Sequence, residues 1–176
     1  MRKILKILAI ILAVGFLIIQ LFRIDTANPP IVPGETLEAA VPVPADISQM
    51  IARSCNDCHS NKTTYPWYTA IQPAGWFMKD HIDHGRSELN FSVFNTYSKQ
   101  KKEKLLDEIC EMVESGEMPL PSYLWLHGDA KLSESDKLIL CGWAEHEREK
   151  LLALDVAELV PYALSTGPVL ARDIVG

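Results

Sequence analysis

At 176 residues the chain has room for one domain plus appendages, and 48% hydrophobic residues is ordinary for a globular protein. The formal net charge is −6, and four of the 17 Lys+Arg (Arg2, Lys3, Lys6 and Arg23) fall in the first 23 residues, so the remainder is more acidic still. With no basic tract interleaved with aromatics, this acidic remainder disfavours nucleic acid and anionic lipid as partners and favours basic protein faces.

The first element is apolar. Ile7 to Phe22, ILAIILAVGFLIIQLF, holds one polar residue, Gln20, and counting back through Lys6 to Ile4 gives nineteen residues, just long enough to span a bilayer. Cleavage of a signal peptide wants small residues in an A-x-A-like pattern, whereas Asp25 stands where one belongs, so residues 1–23 are expected to be a retained transmembrane anchor. The preceding cations place the N-terminus in the cytoplasm and the rest of the chain on the periplasmic side of a single-pass protein.

Residues 24–45 carry Pro29, Pro30, Pro33, Pro42 and Pro44 with no periodic apolar face. Two readings stand: a linker in polyproline II, reaching roughly 60 Å over twenty residues, or an arm packed on the domain. Residues 46–146 form that domain. Asp46 is expected to cap a short helix through Ile47, Met50 and Ile51, which delivers Cys55.

Cys55-Asn56-Asp57-Cys58-His59 is a C-x-x-C-H sequence, the attachment signature of a c-type haem. Two thiols on one turn can each add to a vinyl group of the same porphyrin, and the next imidazole then faces the iron. Structural zinc would need a second ligand pair, and Cys110 and Cys141 stand apart with no His-x3-5-His. A thioredoxin-type redox pair would want a βαβ context, and no β-branched run precedes Cys55.

The turn-rich run 60–68 suits a loop at a cofactor edge, with Tyr65, Trp67, Tyr68 and, further on, Trp76 as wall residues or ordinary core. Pro73 should open a helix ending near Gly85, and Leu89 to Tyr97 alternates too irregularly for a strand. Ser98 to Gly116 is the best-marked helix, with an apolar stripe of Leu105, Leu106, Ile109, Met112 and Val113 and a glycine stop. A loop from Glu117 to Lys131 follows. Ser133 with Asp136 resembles a capping box and starts a last helix, which Pro161 should end. Cys110 and Cys141 lie on these two helices; a disulfide is open to them, with buried free thiols slightly preferred because bridge geometry is restrictive. The fold class is therefore all-α, with about four helices and a C-terminal extension over 147–176.

A haem iron with one histidine has a sixth position whose ligand decides between electron transfer and substrate chemistry. Met118, after the Gly116 stop and before Pro119, is the first candidate, and Ser115 to Pro119 downstream of C-x-x-C-H resembles the order of parts in class I cytochromes c. His81 is the rival; His84, His127 and His146 are weaker. Methionine as gap-filling core and histidine as a hydrogen-bonded structural group are the ordinary alternatives.

The runs CNDCHSNKTTYPWY, Pro73 and Trp76, HIDHGRSELNFSVFNTY, LLDEICEMVESGEMPLPSYLWLH and DAKLSESDKLILCGWA together resemble the bacterial haem-binding domain family of membrane-anchored, cytochrome-c-like proteins, over residues 46–146. The resemblance implies one covalently attached haem, with Cys55 and Cys58 as attachment residues and His59 as proximal ligand. His81, Gly85-Arg86, Asn90-Phe91-Ser92, Met118-Pro119 and His127 also fall on family pattern positions. The expected function is a membrane-tethered electron carrier serving a partner redox protein, rather than an enzyme. The alternatives are a haem enzyme or gas/redox sensor with an open sixth site near His81 or Arg86, and a tethered thiol-disulfide protein.

Overall fold

The computed structural model describes the backbone of residues 1–165 and the side chains of residues 1–153. Eight helices follow in chain order among the described residues: α1 (Arg2–Ile19), α2 (Leu37–Ala40), α3 (Ala45–Ser54), α4 (Asn56–His59), α5 (Ala74–Glu88), α6 (Lys99–Glu114), α7 (Pro121–Leu124) and α8 (Glu134–Ser165). Short 3-10 turns lie between them, and no strand occurs among the described residues. The chain is all-α, as its periodicities require.

The apolar stripe of α6 makes the largest helix pairing, against α8. Leu105, Leu106, Leu140, Trp143 and Ala144 are buried there, and Ile47 and Ile51 of α3 with Phe91 and Phe94 complete the core. Cys110 and Cys141 meet in this interface as a disulfide, with Cα atoms 4.9 Å apart. The preference for free thiols is thus corrected: both cysteines are buried on facing stripes, close enough that bridge geometry is no obstacle.

The helix ends follow capping chemistry where the sequence carries it. Ser98 accepts from the Lys101 N–H, and Gly116 takes φ 77°, the left-handed conformation that lets the chain turn off α6. Ser133 and Asp136 bond reciprocally, backbone N–H to carboxylate at 2.9 Å and backbone N–H to hydroxyl at 3.1 Å, so the capping box is real with Asp in place of Glu.

Three expected boundaries shift. Asp46 lies one residue inside α3, whose N-cap is Pro44, and acts on the helix dipole instead of capping. Gly85 is interior to α5, because the helix needs a residue without a side chain where it crosses α4. Pro161 does not end α8, which runs to Ser165. Residues 166–176 of the expected tail lie outside the described residues.

Of the two readings of residues 24–45, the structure takes the packed arm. Leu37 and Val41 are buried in the core, the Trp143 indole donates to the Pro42 carbonyl at 3.0 Å, and Asn61 donates to the Pro30 carbonyl at 3.1 Å. No helix among the described residues is long and apolar enough to cross a membrane. The N-terminal helix holds 18 residues, three of them the cations Arg2, Lys3 and Lys6, and ends at Ile19 short of the Ile4–Phe22 stretch expected from the sequence. Its residues are exposed, apart from half-buried Ile19.

Candidate functional site

Ile47, Met50 and Ile51 bury one face of α3 and so fix where its last turn delivers Cys55. The chain then turns again without a break, Cys58 and His59 both donating their backbone N–H to the Cys55 carbonyl at 3.2 and 2.9 Å. Both thiols and the imidazole therefore sit on one helical turn.

That turn is held from behind by α5. A Cβ built on Gly85 would lie 2.8 Å from the Cys58 carbonyl oxygen and 3.2 Å from the Cys58 Cβ, so only glycine admits this approach. One residue on, Arg86 donates to the Ser60 carbonyl at 2.8 Å and to Asn28 Oδ1 and Thr63 Oγ1 at 2.9 Å. The chain leaving α5 brings the Leu89 carbonyl to 3.1 Å from His59 Nδ1. A carbonyl can only accept, so Nδ1 carries the proton and Nε2 keeps its lone pair for a metal. Burial, with a smaller effect from His84, lowers the His59 pKa against opposing bonds from the Leu89 and Gly85 backbone, which keeps the ring neutral.

The two thiols are unbridged. Burial raises the Cys55 pKa to about 12, helped by the neighbouring Cys58, and burial with the Asp57 charge raises Cys58 to about 11. At neutral pH both are thiols, the opposite of the lowered pKa that drives disulfide exchange. Among the described residues the one group of potential metal ligands outside the motif is Cys110, Glu114 and Cys141, and its two cysteines are spent in the disulfide.

On the other side of the turn lies an aromatic group. Asp57 accepts the Tyr123 hydroxyl at 2.6 Å and the Thr64 backbone N–H at 2.8 Å. Tyr123 stacks on His127 with ring centroids 4.1 Å apart, and His127 Nε2 lies 2.7 Å from the Tyr68 hydroxyl. Trp67 meets Tyr68 edge-on, and Asp57, Tyr123 and His127 border a cleft of about 260 Å3. Trp67, Trp125 and Leu126, beside these residues in the chain, are exposed at 78, 82 and 68%, a large apolar surface to leave in water.

Of the residues picked from the sequence, Cys55, Cys58 and His59 are together, and Tyr68, with Trp67 edge-on to it, is linked to Asp57 of that turn through His127 and Tyr123. Tyr65 is half-buried, with its hydroxyl out of solvent. Met118 is half-buried in the turn after Gly116, its N–H bonded to the Met112 carbonyl. His81 lies on α5, bonded through Nδ1 to the Phe77 carbonyl and packed on the Phe77 ring. Trp76 is placed elsewhere: its indole donates to the Phe22 carbonyl at 2.8 Å. The sequence reading missed Asp57 and Tyr123, and underrated His127. The one signal available was that Asp57 lies inside the C-x-x-C-H turn itself.

A small helical domain that offers two un-ionised thiols and a neutral imidazole on one turn, with exposed aromatic surface alongside, is the kind built to hold an iron porphyrin. The residues present fit that group. The chain belongs to the haem-binding domain family, whose model matches residues 14–146, more than half its length, and it binds haem. No curated protein matches it, and no solved structure does.

Proposed function

We propose that the chain is a monohaem c-type cytochrome domain that passes single electrons to and from a partner redox protein. Cys55 and Cys58 each form a thioether, the S–H adding across a vinyl group so that sulfur bonds one carbon and the hydrogen goes to the other, with no external oxidant required. His59 Nε2 is the proximal ligand and Met118 the distal one. The observation that carries this reading is the Leu89 carbonyl fixing the His59 tautomer beside two thiols on the same turn.

Met118 draws support from its tether. Tyr123 is bound to Asp57, and five residues of chain reach no more than about 17 Å, so Met118 stays close to the attachment turn. Arg86 and His81, the candidate pocket groups of a haem enzyme or sensor, already hold structural bonds, which favours electron transfer. The raised thiol pKa values disfavour the thiol-disulfide alternative.

The domain is further proposed to sit on the periplasmic face of the cytoplasmic membrane, attached through α1. An exposed apolar helix with Arg2, Lys3 and Lys6 at one end and no acidic residue supports attachment to anionic lipid. The acidic remainder favours a partner with a basic docking face.

Expression with a cytochrome c maturation system and haem staining of a denaturing gel tests attachment: the band stains, and Cys55→Ala with Cys58→Ala does not. An unstained wild-type band rejects the covalent reading. Met118→Ala should abolish the methionine-iron charge-transfer band; a wild type without that band, and a variant with an unchanged spectrum, would overturn the Met118 assignment.

A further inference from the structure

Gln20 is the one polar residue in the apolar run Ile7–Phe22, and its amide is fully used. Gln20 Nε2 donates to the Gln72 carbonyl at 3.0 Å, and Gln20 Oε1 accepts the Gln72 backbone N–H at 2.9 Å. Gln72 is itself completely buried and turns its side-chain oxygen to the Trp76 N–H, at the start of α5. Two residues after Gln20, the Phe22 carbonyl takes the Trp76 indole N–H. Three atoms of the chain leaving α1 are thus bonded to one short stretch of the domain.

The same stretch exposes apolar side chains next to the clasp. Leu21 and Phe22 on one side and Ile71, Trp76 and Phe77 on the other are all 40% exposed or more, continuous with the apolar surface of α1. Arg23 follows directly, so the apolar run is flanked by cations at both ends, which suits contact with anionic headgroups beside a buried apolar face. Tryptophan with its N–H satisfied and its ring exposed is suited to that boundary.

Resting on the membrane reading above, we propose that residues 20–22 and 71–77 form a lipid-contacting collar that clamps the haem domain to the bilayer surface. The attachment turn is then held close by. Gly85, packed on Cys58, lies only about 15 Å along α5 from the collar, whereas an extended arm of twenty residues would let it roam to roughly 60 Å. The bonds of Asn28 to Thr63 and Arg86, and of Asn61 to Pro30, bind the arm to the domain and remove that freedom.

The test uses the full haem-loaded chain in vesicles of phosphatidylcholine and phosphatidylglycerol, with a carbene-generating photolabel dissolved in the acyl phase and the labelled peptides mapped by mass spectrometry. Peptides covering 4–22 and 71–77 should label, and the peptide with exposed Trp125 and Leu126 should not. Gln20→Ala should keep label in 4–22 and lose it from 71–77; Trp76→Phe, which removes only the indole donor, should lose it in part and serves where Gln20→Ala fails to fold. Label in 4–22 but not in 71–77 of the wild type, or equal label around Trp125, overturns the collar while leaving attachment intact. No label in 4–22 overturns the membrane reading itself.

Discussion

At Gly85 a single missing side chain decides whether two helices can touch. Alanine in an exposed helix interior normally gains up to about 1 kcal/mol over glycine, but here its Cβ would press on the Cys58 backbone oxygen, which no rotamer change can move. Overpacking of this kind costs about 1–3 kcal/mol, so Gly85→Ala should lower the denaturant midpoint despite its better propensity. The yield of haem-loaded protein should fall with it, because α5 also carries the Leu89 carbonyl that orients His59. A midpoint that rises would mean the approach is looser than the structure has it. This glycine was read as a helix stop because its meaning lies in Cys58, a partner that periodicity cannot reveal. That Cys55, Cys58 and His59 share one turn was legible for the converse reason: their spacing lies wholly within it. The Asp57–Tyr123 and Tyr68–His127 pairs join distant segments and carry no local pattern.

Elements were legible where their ends are capped by neighbours in sequence, as at Ser98, Gly116 and Ser133-Asp136. The Asp136 carboxylate also bridges α8 to α3, 2.7 Å from the Arg53 guanidinium. Bonds from Ser133, foremost its backbone N–H, together with Arg53, hold its pKa below the ordinary carboxylate value. A carboxylate so depressed contributes stability above its unfolded pKa of about 3.9, and loses it as pH falls through the folded value. Asp136→Asn should therefore melt below the wild type at pH 7, with the gap closing under acid conditions; thermal melts of both proteins from pH 7 to pH 3 check this, and a gap independent of pH would place the effect in packing. The disulfide acts on the same helix pair. Its cysteines are 31 positions apart, and closing a loop of that length is worth about 3–4 kcal/mol through the unfolded chain. Reduction should lower the denaturant midpoint accordingly while leaving the haem spectrum in place, since neither cysteine belongs to the Cys55–His59 turn. The pairing itself was underdetermined by sequence, because two thiols on apolar stripes look the same free or bonded.

For the whole molecule, the proline-rich arm was the ambiguous part: prolines that stiffen a linker also suit a strap, which forgoes regular backbone pairing and is held by side chains such as Asn28 and Asn61. Only three-dimensional contacts separate the two, and they place Leu37 and Val41 at 2 and 5% exposure in the core. The family match, beginning at residue 14 and running through the arm, fits a domain that includes it. Burying two such side chains is worth about 3–6 kcal/mol, a large part of the 5–15 kcal/mol that typically holds a domain together. A chain starting at Asp46 should thus be poorly folded, with low helicity and little haem incorporated, although it retains every residue of the Cys55–His59 turn. A chain starting at Pro29 keeps Leu37, Val41 and the Pro30 and Pro42 carbonyls while losing α1, and should fold and take up haem, with Arg86 giving up its Asn28 contact alone. Far-UV circular dichroism and the Soret band of the two truncations decide the matter. Equal folding of both would make the arm a linker after all, and failure of both would move the indispensable contact to the Gln20 clasp.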